Sequence, residues 1–133
     1  MRGARLCPVA GLRLGAVYAG MTLDEPAFER LADETLKYLL ASIEAALGDR
    51  LDIDLQGGIL TIELDAGGTY VVNRQAPNRQ IWLASPLSGA WHFDYVDGPG
   101  HAARWVATRG GTSLAVLLAG ELALATGAAP DLD

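Results

Sequence analysis

Cysteine is nearly absent from this chain of 133 residues: Cys7 stands alone. A single cysteine cannot build an intramolecular disulfide framework or a paired-thiolate metal site, so a reducing compartment is expected. Positive charge is scarce too. Ten Lys and Arg against sixteen Asp and Glu leave a formal charge of -6, which disfavours nucleic acid and anionic membrane as partners. The first twenty residues, MRGARLCPVAGLRLGAVYAG, hold no apolar run long enough to cross a bilayer. Catalytic signatures are missing as well. No glycine-rich phosphate loop follows a strand pattern, and there is no nucleophile elbow and no HExxH. Ser85 and Ser88 have no evident His–acid relay. The expectation is a protein that is not an enzyme.

What is present is globular in composition: half the residues are hydrophobic and a fifth are charged. At this length one domain with a real core is expected. Charge is unevenly spread. Residues 1–23 carry Arg2, Arg5 and Arg13 and no acid, whereas residues 24–65 carry eleven acids against Arg30, Lys37 and Arg50, a local balance of -8. Such a block is either a solvated face or a surface with a purpose. The Arg-bearing start reads either as an extension upstream of Met21 or as a transit peptide. The expected layout is therefore an N-terminal extension over 1–21, a domain over 22–127 and a fraying tail over 128–133.

Asp24 is placed to cap a helix starting at Glu25-Pro26, with Thr22 and Glu25 as a competing capping box. Phe28, Leu31, Ala32, Thr35, Leu36, Leu39, Ile43, Ala46 and Leu47 then recur at helical spacing until Gly48. Short alternating segments follow, separated by Gly57-Gly58, Gly67-Gly68 and Ala76-Pro77-Asn78. They predict strands over 51–55, 59–64, 69–75, 79–85, 90–95 and 103–107. A second helix is predicted from Leu114 to about Thr126, capped by Thr112 or Ser113. Helix, meander, helix is an α+β pattern. It predicts a two-layer α/β sandwich, α-β(5-6)-α, with an antiparallel sheet and both helices packed on one face.

In Gln80-Ile81-Trp82-Leu83 the strand parity sends Ile81 and Leu83 to one side and Gln80 and Trp82 to the other. If Ile81 and Leu83 meet the helices, Trp82 stands on the open face. Placing Val72 inward sends Asn73 and Gln75 to that same face. Three amides around one indole is the composition of a protein-binding hot spot.

These residues resemble a known family. Asn73-Arg-Gln-Ala-Pro-Asn-Arg-Gln-Ile-Trp-Leu-Ala-Ser-Pro86, then Ser88-Gly89 and His92-Phe93-Asp94, is similar to the central signature of the frataxins. Leu31–Leu36, Gly57–Ile62 and Ser113-Leu114 with Leu117–Leu122 resemble its flanking elements, so the likeness covers about 22–126. The resemblance implies a role in iron–sulfur cluster assembly, through binding a cysteine desulfurase and its iron–sulfur scaffold protein. It implies partner contacts at Asn73, Gln75, Gln80, Trp82 and Leu83. It also implies weak binding of iron, Fe2+ or Fe3+, through an acidic ridge at Glu29, Asp33, Glu34, Glu44, Asp52 and Asp54. In the second half of the first helix only Glu44 remains where many frataxins carry several acids. Carboxylates spread over a convex surface give one or two ligands per ion. A monomer with possible iron-dependent oligomers, in a bacterial cytoplasm or else a mitochondrial matrix, completes the expectation. The competing reading is an iron chaperone, storage protein or weak ferroxidase acting through the ridge.

Overall fold

The structure, a computed structural model, describes residues 23–133. The expectations for the N-terminal extension and for a cap at Thr22 lie outside the described residues. Helix α1 spans Glu25–Leu47, with the Ala27 backbone N–H donating to Asp24 Oδ1 at 2.9 Å. It buries Phe28, Ala32, Thr35, Leu36, Leu39, Ile43 and Leu47. Ala46, expected on the apolar stripe, is exposed at its edge. Gly48 ends the helix in right-handed conformation, its N–H still bonded to the Glu44 carbonyl at 2.9 Å.

Six strands follow: β1 Leu51–Gln56, β2 Ile59–Leu64, β3 Thr69–Gln75, β4 Gln80–Ser85, β5 Gly89–Tyr95 and β6 Trp105–Ala107. They pair in sequence order as one antiparallel sheet. The glycine pairs at 57–58 and 67–68 all sit at positive φ, which lets short turns reverse the chain between β1, β2 and β3. Helix α2 spans Leu114–Thr126 and is capped by Ser113, whose Oγ accepts from the Val116 N–H at 3.1 Å. Both helices lie on one face of the sheet, the two-layer arrangement expected.

Two strand boundaries are corrected. Arg79 does not begin β4: Ala76–Asn78 form a 3-10 turn and Arg79 takes a left-handed φ of 54°. Residues 103–104 belong to a second 3-10 turn, Ala102–Arg104, so β6 is shorter than predicted. The tail, expected to fray, packs onto the domain. Leu132 is 2% exposed in the core, the Tyr38 hydroxyl donates to the Asp131 carbonyl at 3.3 Å, and the His101 backbone N–H donates to Asp133 O.

The core lies between sheet and helices. Leu60, Ile62, Tyr70, Val72, Ile81, Leu83, Phe93 and Trp105 point inward from five strands. Trp105 packs edge-on against Phe28 with ring centroids 6.0 Å apart. Its N–H donates to Thr35 Oγ1 at 2.9 Å, and the Thr35 hydroxyl in turn donates to the Leu31 carbonyl at 2.9 Å. No buried donor is left over at that contact.

Candidate interaction face and acidic ridge

Register fixes what the uncovered sheet face displays. Ile59 pairs with Asn73, Asn73 with Trp82 and Trp82 with His92, so these side chains form one row across β2 to β5. The next row runs Gln75, Gln80, Asp94. Within this patch the polar groups are tied to one another. The Trp82 indole N–H donates to Gln80 Oε1 at 2.8 Å, and the Gln80 amide donates to Asp94 Oδ1 at 2.9 Å. His92 stacks on the Trp82 ring, centroids 4.3 Å apart and planes 15° from parallel. The indole is therefore half-buried, held at one edge by Gln80 and on one face by His92.

Asn73, Gln75, Gln80 and Trp82 come together as the strand parity requires. Leu83 does not. It is 2% exposed, paired with Val72 and Trp91 on the helix side, so it supports the sheet and cannot touch a partner without unfolding. Two members of the face escaped the sequence reading as contacts. Ile59 is 47% exposed beside Asn73, and His92 covers the indole. Counting pairs back from the Ser85–Gly89 turn, which sets Trp82 opposite His92, was the available signal.

The ridge residues divide. Glu34 and Glu44 on α1 and Asp52 and Asp54 on β1 are exposed, while Glu29 and Asp33 are half-buried. Asp33 is already paired: Arg74 Nη1 lies 2.6 Å from its Oδ1. Arg74 reaches it from the helix side of β3, between the open-face residues Asn73 and Gln75. Glu63 joins the ridge unannounced, directly across from Asp52 in the register. Like charges placed opposite each other weaken a strand pair, so Asp52 and Glu63 keep a negative potential at some expense to the fold. Among the described residues no three His, Cys, Asp or Glu side chains converge to hold one metal ion. Open, separated carboxylates suit a hydrated, exchangeable cation and do not form a cage.

A buried polar network lies on the other side of the sheet. Glu121, the one charged residue of α2, is buried. Its Oε1 accepts from the Tyr70 hydroxyl at 3.0 Å and from Ser85 Oγ at 2.5 Å, and its Oε2 accepts from Ser88 Oγ at 2.6 Å. Ser85 Oγ also accepts the backbone N–H groups of Leu87 and Ser88. Burial, then the hydrogen bond and charge of Glu121, push the Tyr70 phenol up to about 12. No imidazole enters this cluster, and every hydroxyl points at a carboxylate, which leaves no activated nucleophile. The network ties α2 to the β4–β5 turn, the turn that sets the register of Trp82 against His92.

Comparison with known proteins gives a consistent result. A family model described as "Frataxin-like domain" matches residues 21–128. The mitochondrial frataxin homolog of Saccharomyces cerevisiae is 46% identical over 95 residues, covering 68% of this chain and 52% of that protein. The iron-sulfur cluster assembly protein CyaY of Vibrio cholerae is 38% identical over 96 residues, covering 72% of this chain and 86% of that one. The structure of the frataxin from Psychromonas ingrahamii superposes with a TM-score of 0.72 at 28% identity, covering 84% of this chain and 99% of the other. The chain thus spans about half the length of the mitochondrial relatives, 52–56% of each, and most of the bacterial ones.

Proposed function

The chain belongs to the frataxin family, and from that membership we propose that it acts in iron–sulfur cluster assembly as a non-catalytic docking protein. Its partner is a cysteine desulfurase with its scaffold protein. The observation that carries this reading is the Trp82 patch. A large, half-buried indole, with its N–H satisfied and one face stacked on His92, stands on the uncovered sheet face beside Asn73, Gln75 and Ile59. Pre-fixing an aromatic anchor lowers the ordering cost of binding, and desolvating its exposed part supplies the gain.

The acidic ridge plays a second part. Asp52, Asp54 and Glu63 lie on the same open face as Trp82, two and three strands away. A basic partner surface is drawn in by their field, and Trp82 then locks the encounter. Iron enters this reading as weakly held cargo at single ridge carboxylates. The donor set does not fit a resident, tightly bound ion.

The test is binding to a purified desulfurase–scaffold complex by biolayer interferometry. Trp82→Ala is expected to weaken binding about thirtyfold, or about 2 kcal/mol. The double change Asp52→Lys with Asp54→Lys is expected to slow association and flatten its salt dependence while leaving dissociation nearly unchanged. Full binding by both variants would remove the docking role. A submicromolar, stoichiometric iron(II) site measured by calorimetry would favour an iron-handling role instead.

A further inference from the structure

Gln80 stands between two groups that only one orientation of its amide can satisfy. On one side is the Trp82 indole, two residues along β4 on the same face; on the other is Asp94, its cross-strand partner on β5. An indole N–H only donates and a carboxylate only accepts. The amide must turn its oxygen to Trp82 and its NH2 group to Asp94, and it does. The Trp82 indole N–H donates to Gln80 Oε1 at 2.8 Å, and Gln80 Nε2 donates to Asp94 Oδ1 at 2.9 Å. With the amide reversed, donor would face donor and acceptor would face acceptor.

The other neighbours on the open face do not impose that choice. Gln75, across from Gln80 on β3, carries an amide that both donates and accepts, so it suits either orientation. His92 meets the indole with its ring face, centroids 4.3 Å apart, and leaves the N–H edge to Gln80. The acceptor that selects the orientation is the Asp94 carboxylate.

We infer that Asp94 is the positioning residue of the Trp82 docking surface: by accepting from Gln80 it fixes the amide, and the amide fixes the indole. This role for Asp94 rests on the docking function proposed above. It also changes the part played by Gln80, whose oxygen and one N–H are committed within the surface. Gln80 is a bracket for the indole before it is a contact for a partner.

The bracket matters most when the face is covered. Asp94 is exposed and Gln80 is half-buried, so in the free protein water can replace either bond and the fold gains little from them. A partner lying over Trp82 takes that water away, and a buried donor left without an acceptor is costly. The indole N–H brings its own acceptor into the interface, already aimed. Asp94 also adds one negative charge to the open face, three strands from Glu63, and a test must separate that charge from the hydrogen bond.

Asp94→Ala and Asp94→Asn remove the same charge, but only the asparagine keeps an oxygen that can accept from Gln80. Interferometry of the full chain against the desulfurase–scaffold complex is expected to show binding weakened about fivefold in Asp94→Ala, through faster dissociation, and less than about twofold in Asp94→Asn. In the free chain, heteronuclear NMR relaxation of the Trp82 indole N–H reads the bracket directly. Ring motion is expected to increase in Asp94→Ala and to stay near the wild type in Asp94→Asn, with both melting temperatures close to that of the wild type. Equal loss of affinity in the two variants assigns the effect to charge and overturns the proposal. An indole as rigid in Asp94→Ala as in the wild type overturns it too. If Trp82→Ala keeps full affinity, the docking function itself fails and the role of Asp94 falls with it; failure of Asp94 alone leaves the Trp82→Ala loss in place.

Discussion

Trp105 and Trp82 occupy opposite faces of one sheet, and each has its indole N–H satisfied. Trp105 is 0% exposed, bonded to Thr35 and packed against Phe28 and Tyr95. Trp82 is bonded to Gln80 and stacked on His92, and is only half-buried. The first indole is surrounded by parts of two helices and the sheet, so its removal leaves a hole. The second touches only neighbours on its own and adjacent strands, so its removal leaves the layers in place. Chemistry is the same in both; what differs is whether a second layer covers the ring.

The largest expected effect comes from breaking the covered side. Trp105→Ala should destabilise the domain by about 3–5 kcal/mol, with an added penalty from the orphaned Thr35 hydroxyl contact. A melt by circular dichroism checks it. A change below about 1 kcal/mol would mean that the covered face is loosely packed.

The comparison sharpens at Ile81 and Trp82, which are chain neighbours on opposite faces. Ile81→Ala should cost about 2–5 kcal/mol of stability while the intrinsic affinity of the folded fraction for a partner is retained. Trp82→Ala should cost about 1 kcal/mol, since stacking and one hydrogen bond are lost, while partner binding falls by the larger factor given above. Urea unfolding and interferometry on the same two variants measure both quantities. If Trp82→Ala unfolds the chain and Ile81→Ala does not, the two faces have been assigned in reverse.

A smaller effect is expected at Tyr70 as pH rises. Its phenol titrates near 10 in an unfolded chain and is pushed up to about 12 in the fold, first by burial and then by Glu121. A folded pKa above the unfolded one means that the contribution is complete below pH 10. It is lost as pH rises from about 10 to 12, because the unfolded chain then releases a proton that the folded chain keeps. The loss is on the order of 2 kcal/mol. Glu121→Gln should lower baseline stability and shrink this alkaline loss without abolishing it, since burial remains. An alkaline slope identical in the variant would detach Glu121 from Tyr70.

Much of this architecture was legible in the residues, for reasons the two faces make plain. Alternation in Leu51–Leu55 and Gln80–Ser85 is a local property, so strand faces and the place of Trp82 could be read directly. Asp24 and Ser113 announced their helices because a cap is read from a few adjacent positions. What could not be read depends on pairs far apart in sequence. Arg74 meets Asp33 across 41 residues, and Tyr70 meets Glu121 across 51. Leu132 looked like part of a fraying tail because nothing local shows that it closes over the core. The run Leu-Ala-Val-Leu-Leu-Ala-Gly-Glu-Leu-Ala-Leu-Ala-Thr did hold a clue. A single acid in a helix apolar all round must either mark the outer face or be buried against donors, and the serines of the β4–β5 turn were the donors available. The family resemblance supplied Leu83 as a contact, but parity had already turned it inward.

The smallest expected effect lies where the two faces communicate. Arg74 leaves β3 on the covered side, between two open-face amides, and ends on Asp33. Both partners are partly exposed, so Arg74→Gln should cost no more than about 1 kcal/mol. Its consequence for the ridge is electrostatic. Removing the guanidinium frees the Asp33 carboxylate and makes the local balance one unit more negative, which should raise the affinity of a weakly held divalent cation a few-fold. Paramagnetic broadening of backbone amides on titration with Mn2+ reads this residue by residue. In the wild type, broadening should centre on Asp52, Asp54 and Glu63 and spare Asp33; in Arg74→Gln it should extend to Asp33 and Glu29. Broadening at Asp33 in the wild type would show that the ion pair gives way to the cation. If Asp33 stays silent in both proteins, α1 takes no part in holding the metal and only the open face of β1 and β2 does.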